Sequence, residues 1–328
     1  MATTKIPSGT TQYDILSSGR TYVLDAGSTL TVTGSYGIFV DETIHDDTVI
    51  IRGDITQTGA GFAAIKTDGM DMTFRIEVGG SVTGTQGIFS ESTETADTLN
   101  IINRGLIDAG GGYAIETQDS KEVVVNSGEI IGRIYLGSGN DVFDNRGGSV
   151  DHRIEGGAGD DTLITDNSGT KLKENGGSEG YDIVKSTVNY TLSENVEKLI
   201  LFGTGNTRGT GTDDGNDLFG GAGNNKLFAL DGVDTLDGGR GNDQMTGGGN
   251  FDTFFFRTGN GHDTIMDFEN GVDKIGLLEW TAIENFSEVK QHLTASNGDL
   301  FITDGSDQLI IRDMLKSDLN AGDFLFPA

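Results

Sequence analysis

Apolar positions recur along the N-terminal part of the chain at intervals near 25 residues. Leu30, Ile55, Val82, Ile107 and Ile130 each open a similar phrase, such as LTVTGSYGIFV, and the steps between them are 25, 27, 25 and 23 residues. Pieces rich in β-branched residues, such as TVII and FRIEV, lie between the openings and lead through Asn or Gly into the next unit. A unit of this kind is typical of one coil of a parallel β-helix, in which apolar side chains of successive coils stack inside.

The period shortens to nine residues from Leu136 onward. Apolar residues then fall at four successive steps of nine, at Leu218, Leu227, Leu236, Met245 and Phe254. The next step, to Ile265, is 11, and beyond it the pattern predicts short strands with one helix near Glu284 to Leu293. We therefore predict an all-β chain: a right-handed parallel β-helix over residues 1–135, a parallel β-roll over 136–265, and a small β-rich C-terminal cap over 266–328.

A nonapeptide motif accompanies this shorter period. GGAGDDTLI from Gly156 and GGRGNDQMT from Gly238 match GGxGxDxUx in full, where U is a large apolar residue. Partial copies begin at Leu136, Gly176, Gly220, Ala229 and Gly247. The first six residues predict a tight turn whose glycines let main-chain carbonyls point inward, and the last three predict a short strand whose apolar residue enters the core.

The charge of the chain limits its partners. Its 51 acidic residues outnumber 22 basic ones, and the net charge of −29 repels nucleic acid and anionic membranes. A divalent cation is the expected partner, because it would relieve this self-repulsion. Cysteine is absent, which excludes disulfides and thiolate zinc sites.

The repeat geometry favours calcium as that cation. If two nonapeptides complete one coil, turns 18 residues apart stack on one edge, and an ion between them takes carbonyl oxygens from both turns as well as aspartate carboxylates. Calcium accepts six to eight oxygen ligands in flexible arrangements, whereas magnesium demands a strict octahedron.

The motif resembles the RTX, or haemolysin-type calcium-binding, family over roughly Leu136 to Ala328. The resemblance implies several Ca²⁺ ions and a β-roll. Its sixth-position ligands would be Asp141, Asp161, Asp182, Asp234, Asp243 and Asp252, with Asp263 as a looser candidate. Its turn residues would be Gly137, Gly139, Gly156, Gly157, Gly159, Gly176, Gly221, Gly223, Asn225, Gly232, Gly238, Gly239, Gly241 and Gly248.

Some repeats depart from the motif. Asn225 stands where aspartate is expected, and Leu230 and Asn250 replace turn glycines, so we expect some sites to be weak or empty. The register also slips by one near Asp213, which leaves open whether Asn216 or Asp217 faces the ion.

Three further segments are similar to the C-terminal regions of serralysin-like and other RTX proteins: YDIVKSTVNYTLSENVEKLILFG, DTIMDFENGVDKIGL and LNAGDFLFPA. This resemblance implies export by a type I secretion machinery that reads the uncleaved C-terminus, and an extracellular location. The N-terminal sequence shows no signal-peptide pattern, and no apolar run reaches the length of a membrane span.

The function of the N-terminal coils is open at this point. Their phrases NRGLI and NSGEI resemble autotransporter-like passenger domains, and the leading hypothesis is a non-enzymatic protein for surface or matrix adhesion or for polymer binding. The alternatives are an extracellular polysaccharide-modifying enzyme of lyase or epimerase type and a purely structural matrix component. Lys66, Arg75, Arg52 and Arg104, with Asp68 and Asp71, would line the enzyme's groove. No HExxH sequence occurs, which excludes a serralysin-like protease.

Overall fold

The computed structural model describes residues 2–92, 97–174, 180–277, 280 and 283–326. The regular structure of these residues is almost entirely β-strand, and the chain divides into two compact units, Met1–Asp182 and Ile183–Ala328. Each unit is a parallel β-solenoid, so the predicted fold class is confirmed. The predicted domain boundaries after residues 135 and 265 mark changes in repeat length and stay predictions.

Two parallel sheets form the first unit. Its strands are β1 (Thr3–Lys5), β2 (Tyr13–Ile15), β3 (Thr21–Leu24), β4 (Thr29–Val32), β5 (Ile38–Val40), β6 (Thr48–Ile51), β7 (Asp54–Gln57), β8 (Ile65–Thr67), β9 (Thr73–Ile76), β10 (Ser81–Thr83), β11 (Ile88–Ser90), β12 (Thr98–Asn103), β13 (Leu106–Glu116), β14 (Lys121–Asn126), β15 (Glu129–Tyr135), β16 (Val142–Asp144), β17 (Ser149–Val150), β18 (Ile154–Glu155), β19 (Thr162–Thr165) and β20 (Leu172–Lys173). One sheet has the order β1, β3, β6, β9, β12, β14, β16, β19. In the other, β2-β5-β8-β11 and β4-β7-β10 both lead to β13, which pairs with β15.

The apolar openings of the 25-residue phrases stack in register. Leu30 pairs with Ile55, Ile55 with Val82, Val82 with Ile107, and Ile107 with Ile130. All five side chains are buried. Successive side chains of a strand point to opposite faces, so one apolar residue per coil at this position builds a continuous core. Each square ångström of apolar surface buried there contributes roughly 25 cal/mol.

A ladder of asparagines also runs through the interior of the first unit. Asn103 Nδ2 donates to Asn126 Oδ1 at 2.8 Å, and Asn126 Nδ2 donates to Asn145 Oδ1 at 2.7 Å. Asn145 Nδ2 donates in turn to Thr170 Oγ1 at 2.9 Å. Because an amide carries both donors and an acceptor, each side chain satisfies its neighbours in the adjacent coils, and a buried polar stack forms without any ion.

The second unit also has two sheets. Its strands are β21 (Ile183–Ser186), β22 (Tyr190–Thr191), β23 (Lys198–Leu201), β24 (Arg208–Thr210), β25 (Asp217–Phe219), β26 (Lys226–Asp231), β27 (Thr235–Asp237), β28 (Gln244–Gly249), β29 (Thr253–Phe256), β30 (His262–Ile265), β31 (Lys274–Leu277), β32 (Leu293–Ser296), β33 (Asp299–Asp304), β34 (Asp307–Ile311) and β35 (Phe324–Leu325). The first sheet has the order β21, β23, β25, β27, β29, β31, β35, and it is parallel throughout. The second has the order β22, β24, β26, β28, β30, β34, β33, β32, in which only the pairs of β33 with its two neighbours are antiparallel.

The nine-residue period sets the register of this unit. Leu218, Leu236 and Phe254 stack in one sheet, while Leu227 stacks on Met245 in the other. Two nonapeptides therefore complete one coil, as the sequence predicts.

The C-terminal elements also match the prediction. Helix α1 (Phe286–His292) lies where a helix is expected, and the Asn285 side chain caps it by accepting from the Ser287 and Glu288 N–H groups. A short 3₁₀ helix, Ala321–Asp323, precedes β35. No helix in the described part of the chain has the length and apolar character needed to span a membrane.

Leu230 provides a test of the turn geometry in the nonapeptide repeats. It replaces a turn glycine, has a φ of 84°, pairs with Gly248, and is 41% exposed. Left-handed backbone costs a leucine about 1–2 kcal/mol, and replacing the leucine with glycine removes this cost. The greater freedom of glycine in the unfolded chain offsets part of the resulting gain in stability. We expect Leu230→Gly to raise the unfolding free energy by about 1 kcal/mol, measured by urea unfolding in calcium. Leu230→Ala keeps a Cβ and should give no gain; an equal gain from both variants would contradict the argument.

Candidate metal centre

A ladder of carboxylates follows one edge of the first unit. The Glu122 N–H donates to Asp141 Oδ1 at 2.7 Å, the Asp141 N–H to Asp161 Oδ1 at 2.8 Å, and the Asp161 N–H to Asp182 Oδ1 at 2.8 Å. Asp141, Asp161 and Asp182 come directly before a strand, and Glu122 is the second residue of β14. The parallel stacking of coils therefore places one buried acidic side chain above the next.

The second unit has two such ladders, one along each edge. In the first, the N–H groups of Asn216, Asp234 and Asp252 donate to the next side chain at 2.6, 3.1 and 3.0 Å, and the ladder ends at Asp273.

In the second ladder of this unit, the Asn225 N–H donates to Asp243 Oδ1 at 2.6 Å and the Asp243 N–H to Asp263 Oδ1 at 2.9 Å. The structure therefore brings all seven sequence-predicted aspartates of the chain into ladders of one kind, and Asp263 accepts from a turn N–H as the others do.

Several of the ladder carboxylates have a second oxygen that is buried and accepts no hydrogen bond. In the described part of the chain, one buried oxygen without a donor belongs to each of Glu122, Asp141, Asp161, Glu174, Asp234, Asp243 and Asp252. A buried ionised carboxylate is costly unless a counter-charge accompanies it. These oxygens are the hard, anionic ligands that Ca²⁺ prefers, so the donor set fits a calcium ion.

Close packing of glycine against the carboxylates shapes the turns. A Cβ at Gly156 would collide with Asp161 Oδ2 and Glu174 Oε1, and a Cβ at Gly238 would lie 2.5 Å from Asp243 Oδ2. Side chains at these positions would occupy the space beside the carboxylates. This explains the glycine that begins the motif.

The other predicted turn residues lie in the same turns. Positive φ angles occur at Gly137, Gly139, Gly157, Gly159, Gly232, Gly239, Gly241 and Gly248. Gly221 and Gly223 instead pack against the carbonyls of Gly203 and Gly205 in the adjacent coil. Gly176 lies outside the described residues.

A family model of RTX calcium-binding nonapeptide repeats matches residues 151–168, 210–245 and 219–254, in four copies. The chain carries RTX calcium-binding repeats. Such repeats bind calcium and are typical of secreted proteins. They coincide with the turns that hold Asp161, Asp234, Asp243 and Asp252.

The remaining comparisons are distant. Among solved structures, the chain is similar to the crystal structure of the extracellular lipase LipA from Serratia marcescens, with a TM-score of 0.30 and 15% identity, over 70% of this chain and 45% of that chain. The chain thus spans less than half the length of the lipase. No curated protein matches the chain.

The departures from the RTX motif have structural consequences. Asn225 Oδ1 accepts from the N–H and hydroxyl of Thr207, and Asn225 Nδ2 donates to the Gly223 carbonyl. This side chain is therefore engaged by its own turn and by the adjacent coil. Asn216 is the ladder residue near the register slip, whereas Asp217 lies on β25 with an oxygen 4.0 Å from Lys198 Nζ.

Glu122, Glu174 and Asp273 are ladder or cluster residues that the nonapeptide motif did not predict. Carboxylate oxygens of Asp161, Glu174 and Asp182 lie within 4.8 Å of one another, and all three residues are buried. Asp273 could have been predicted from the sequence, because GVDKI from Gly271 repeats the pattern of GVDTL from Gly232. Glu122 and Glu174 stand outside any nonapeptide, and only the stacking of coils reveals them.

Burial is the main cause of a raised pKa in every ladder carboxyl whose pKa is shifted, and neighbouring carboxylates add to it in several of them. Backbone N–H donors act in the opposite direction and favour the ionised form. The raised pKa is about 6 for Asp234 and Asp243, about 7 for Asp252, and about 8 for Asp161, Glu174 and Asp263. The pKa values of Glu122, Asp141 and Asp273 are also raised by burial.

These shifts predict how pH acts on the metal-free protein. The folded-state pKa of Asp252, about 7, lies above its unfolded value of 3.8, so the folded state holds this proton more tightly. The stabilisation is present at low pH and is lost as pH rises through about 7. In chelator, strand content and resistance to urea should therefore increase from pH 8 to pH 5, as followed by circular dichroism.

Asp252→Asn is the matched variant, because asparagine resembles the protonated acid. It should stabilise the metal-free protein at pH 8 by about 1 kcal/mol and reduce the pH dependence, yet destabilise the protein in calcium. A variant that loses stability under both conditions would contradict this account.

Proposed function

We propose that the chain is a secreted protein that folds around Ca²⁺ outside the cell and acts without catalysis, adhering to a surface or binding a polymer in the extracellular matrix. The observation that carries the calcium role is the row of buried carboxylate oxygens without donors on stacked turns. Asp141, Asp161, Asp182, Asp234, Asp243, Asp252 and Asp263 would supply carboxylate ligands, and the stacked turns would add main-chain carbonyls.

Calcium affinity would decide where the chain folds. Extracellular calcium modules have dissociation constants of roughly 10⁻⁴ to 10⁻³ M, so cytosolic calcium would leave the ladder carboxylates uncompensated. An unfolded chain suits passage through a type I secretion machinery, which would read the C-terminal region over residues 266–328. Folding on calcium outside the cell would then oppose a return of the chain.

The contacts of the N-terminal cations favour a non-enzymatic role for the first unit. Lys66 Nζ lies 2.5 Å from Glu91 and 3.5 Å from Asp68, and the guanidinium groups of Arg75 and Arg104 both lie 3.1 Å from Glu77. A lyase or epimerase needs a cation that faces substrate and a base beside it. These cations instead neutralise their own carboxylates.

Simple assays separate the three hypotheses. Turnover of acidic polysaccharides would support the enzyme, binding to glycans or cells without turnover would support adhesion, and calcium-driven assembly into sheets or filaments would support a structural matrix component.

Removal of calcium should unfold the nonapeptide region. We expect EDTA to abolish the strand signal of residues 136–265 in far-ultraviolet circular dichroism, while the first coils keep theirs, so that a melt in EDTA shows two transitions. The same chain should take up several calcium ions in titration calorimetry. An absence of uptake by the purified full-length chain would overturn the proposed calcium role.

Asp243 is the residue of choice for a point test. Asp243→Ala removes a buried carboxylate from a full-motif repeat and from the hydrogen bond to the Asn225 N–H, so calcium binding should become weaker and less cooperative, by about tenfold or more in affinity. Asp144→Ala is the control, because Asp144 instead forms a surface ion pair with Arg146. Equal effects of the two variants on calcium titrations would contradict the ladder assignment.

A further inference from the structure

A groove interrupts the second sheet of the first unit beside strand β15. On one side, β17 and β18 pair with the two ends of β15, but the intervening residues 151–153 leave the sheet. On the other side, the register between β13 and β15 shifts between Asp108 and Tyr113, so residues 109–112 form a β-bulge without partners in β15. The groove beside these interruptions has a volume of about 640 Å³.

The groove presents a mixture of cationic, acidic and aromatic groups. Its lining includes Tyr113, Arg133, Asp151, His152, Arg153 and Glu155. The Arg133 guanidinium lies 5.7 Å from the centroid of the Tyr113 ring. His152 Nδ1 lies 2.8 Å from Asp151, and Arg153 Nε lies 3.2 Å from Glu155 Oε1.

Arg133 is the unusual member of this set. Its side chain is exposed, and it has no carboxylate within ion-pair distance among the residues that the structure describes. In a chain with 51 acidic and 22 basic residues, a guanidinium that faces a groove without an acidic partner points to an anionic ligand. Arginine binds carboxylates through two parallel N–H···O bonds, which gives such a site geometric selectivity.

We infer that this groove binds a uronate residue of an extracellular acidic polysaccharide. Arg133 binds the sugar carboxylate, the Asp151 and Glu155 carboxylates accept hydrogen bonds from hydroxyls, and the Tyr113 ring contacts the apolar face of the sugar. This inference rests on the polymer-binding role proposed above and gives it a location and a ligand class.

The groove is less suited to an acidic peptide strand. An extended peptide gains affinity from main-chain hydrogen bonds to an open strand edge. Here the Gly132 N–H on β15, which faces the interruption, already donates to Asp151 Oδ1 at 2.8 Å. A ligand recognised by side chains alone therefore fits the groove better.

The test is calorimetric titration of the full chain, in calcium, with tetragalacturonate, an oligomer too short to gel. The methyl-esterified tetramer is the ligand control, since it keeps every sugar ring and removes the charge. We expect binding of the acid and at least about tenfold weaker binding of the ester, from the strength of charge-assisted hydrogen bonds.

Arg133→Gln should weaken binding of the acid about tenfold or more, and Arg133→Lys should restore part of it, because lysine keeps the charge without the planar fork. Arg146→Gln is the matched control: Arg146 is an exposed arginine of the same unit that pairs with Asp144 at 2.6 Å, and this variant should bind normally. Failure of the wild type to bind the acid, equal binding of the ester, or normal binding by Arg133→Gln would overturn the inference.

Circular dichroism of the same samples with and without EDTA distinguishes a failure of the groove assignment from a failure of the proposed calcium role. Normal calcium-induced folding together with absent uronate binding would overturn the groove assignment alone. Loss of calcium-induced folding would overturn the proposed calcium role itself.

Discussion

The structure depends on one repeated arrangement: a turn N–H of one coil donates to a carboxylate oxygen of the next, and this fixes where the other oxygen points. In Asp141, Asp161, Asp234, Asp243 and Asp252 that second oxygen is buried without a donor. The same hydrogen bond that holds the coils in register therefore confines negative charge in the protein interior. A buried, uncompensated carboxylate costs several kcal/mol. The coil register therefore creates the charge that a bound cation must neutralise.

The asparagine ladder solves the same stacking problem without an ion. Asn103, Asn126 and Asn145 occupy one position in successive coils, and each amide donates to the next. A carboxylate cannot do this, because when ionised it only accepts hydrogen bonds. The choice between asparagine and aspartate at a stacked interior position thus decides whether that part of the solenoid needs a cation.

Much of this could be predicted from the sequence, because a strict period carries both register and chemistry. The steps of nine between Leu218 and Phe254 correctly indicated two nonapeptides per coil. The motif also singled out the sixth-position aspartates that the structure places in the ladders. Glu122 and Glu174 were not found, since their partners lie one coil away and no local pattern marks them. The groove at β15 was also not predictable, because it arises from pairing that is lost on both sides of one strand.

The position of the first carboxylate ladder bears on where the dependence on calcium begins. Glu122, Asp141, Asp161 and Asp182 all belong to the first compact unit, and Asp141 and Asn145 flank the same strand, β16. Coils here shorten, with β14 and β16 paired 19 residues apart and β16 and β19 paired 20 apart. The asparagine ladder and the carboxylate ladder therefore run through the same coils. The ion-independent part of the solenoid should therefore end near Glu122, where carboxylates first join the interior stack, rather than where the compact unit ends.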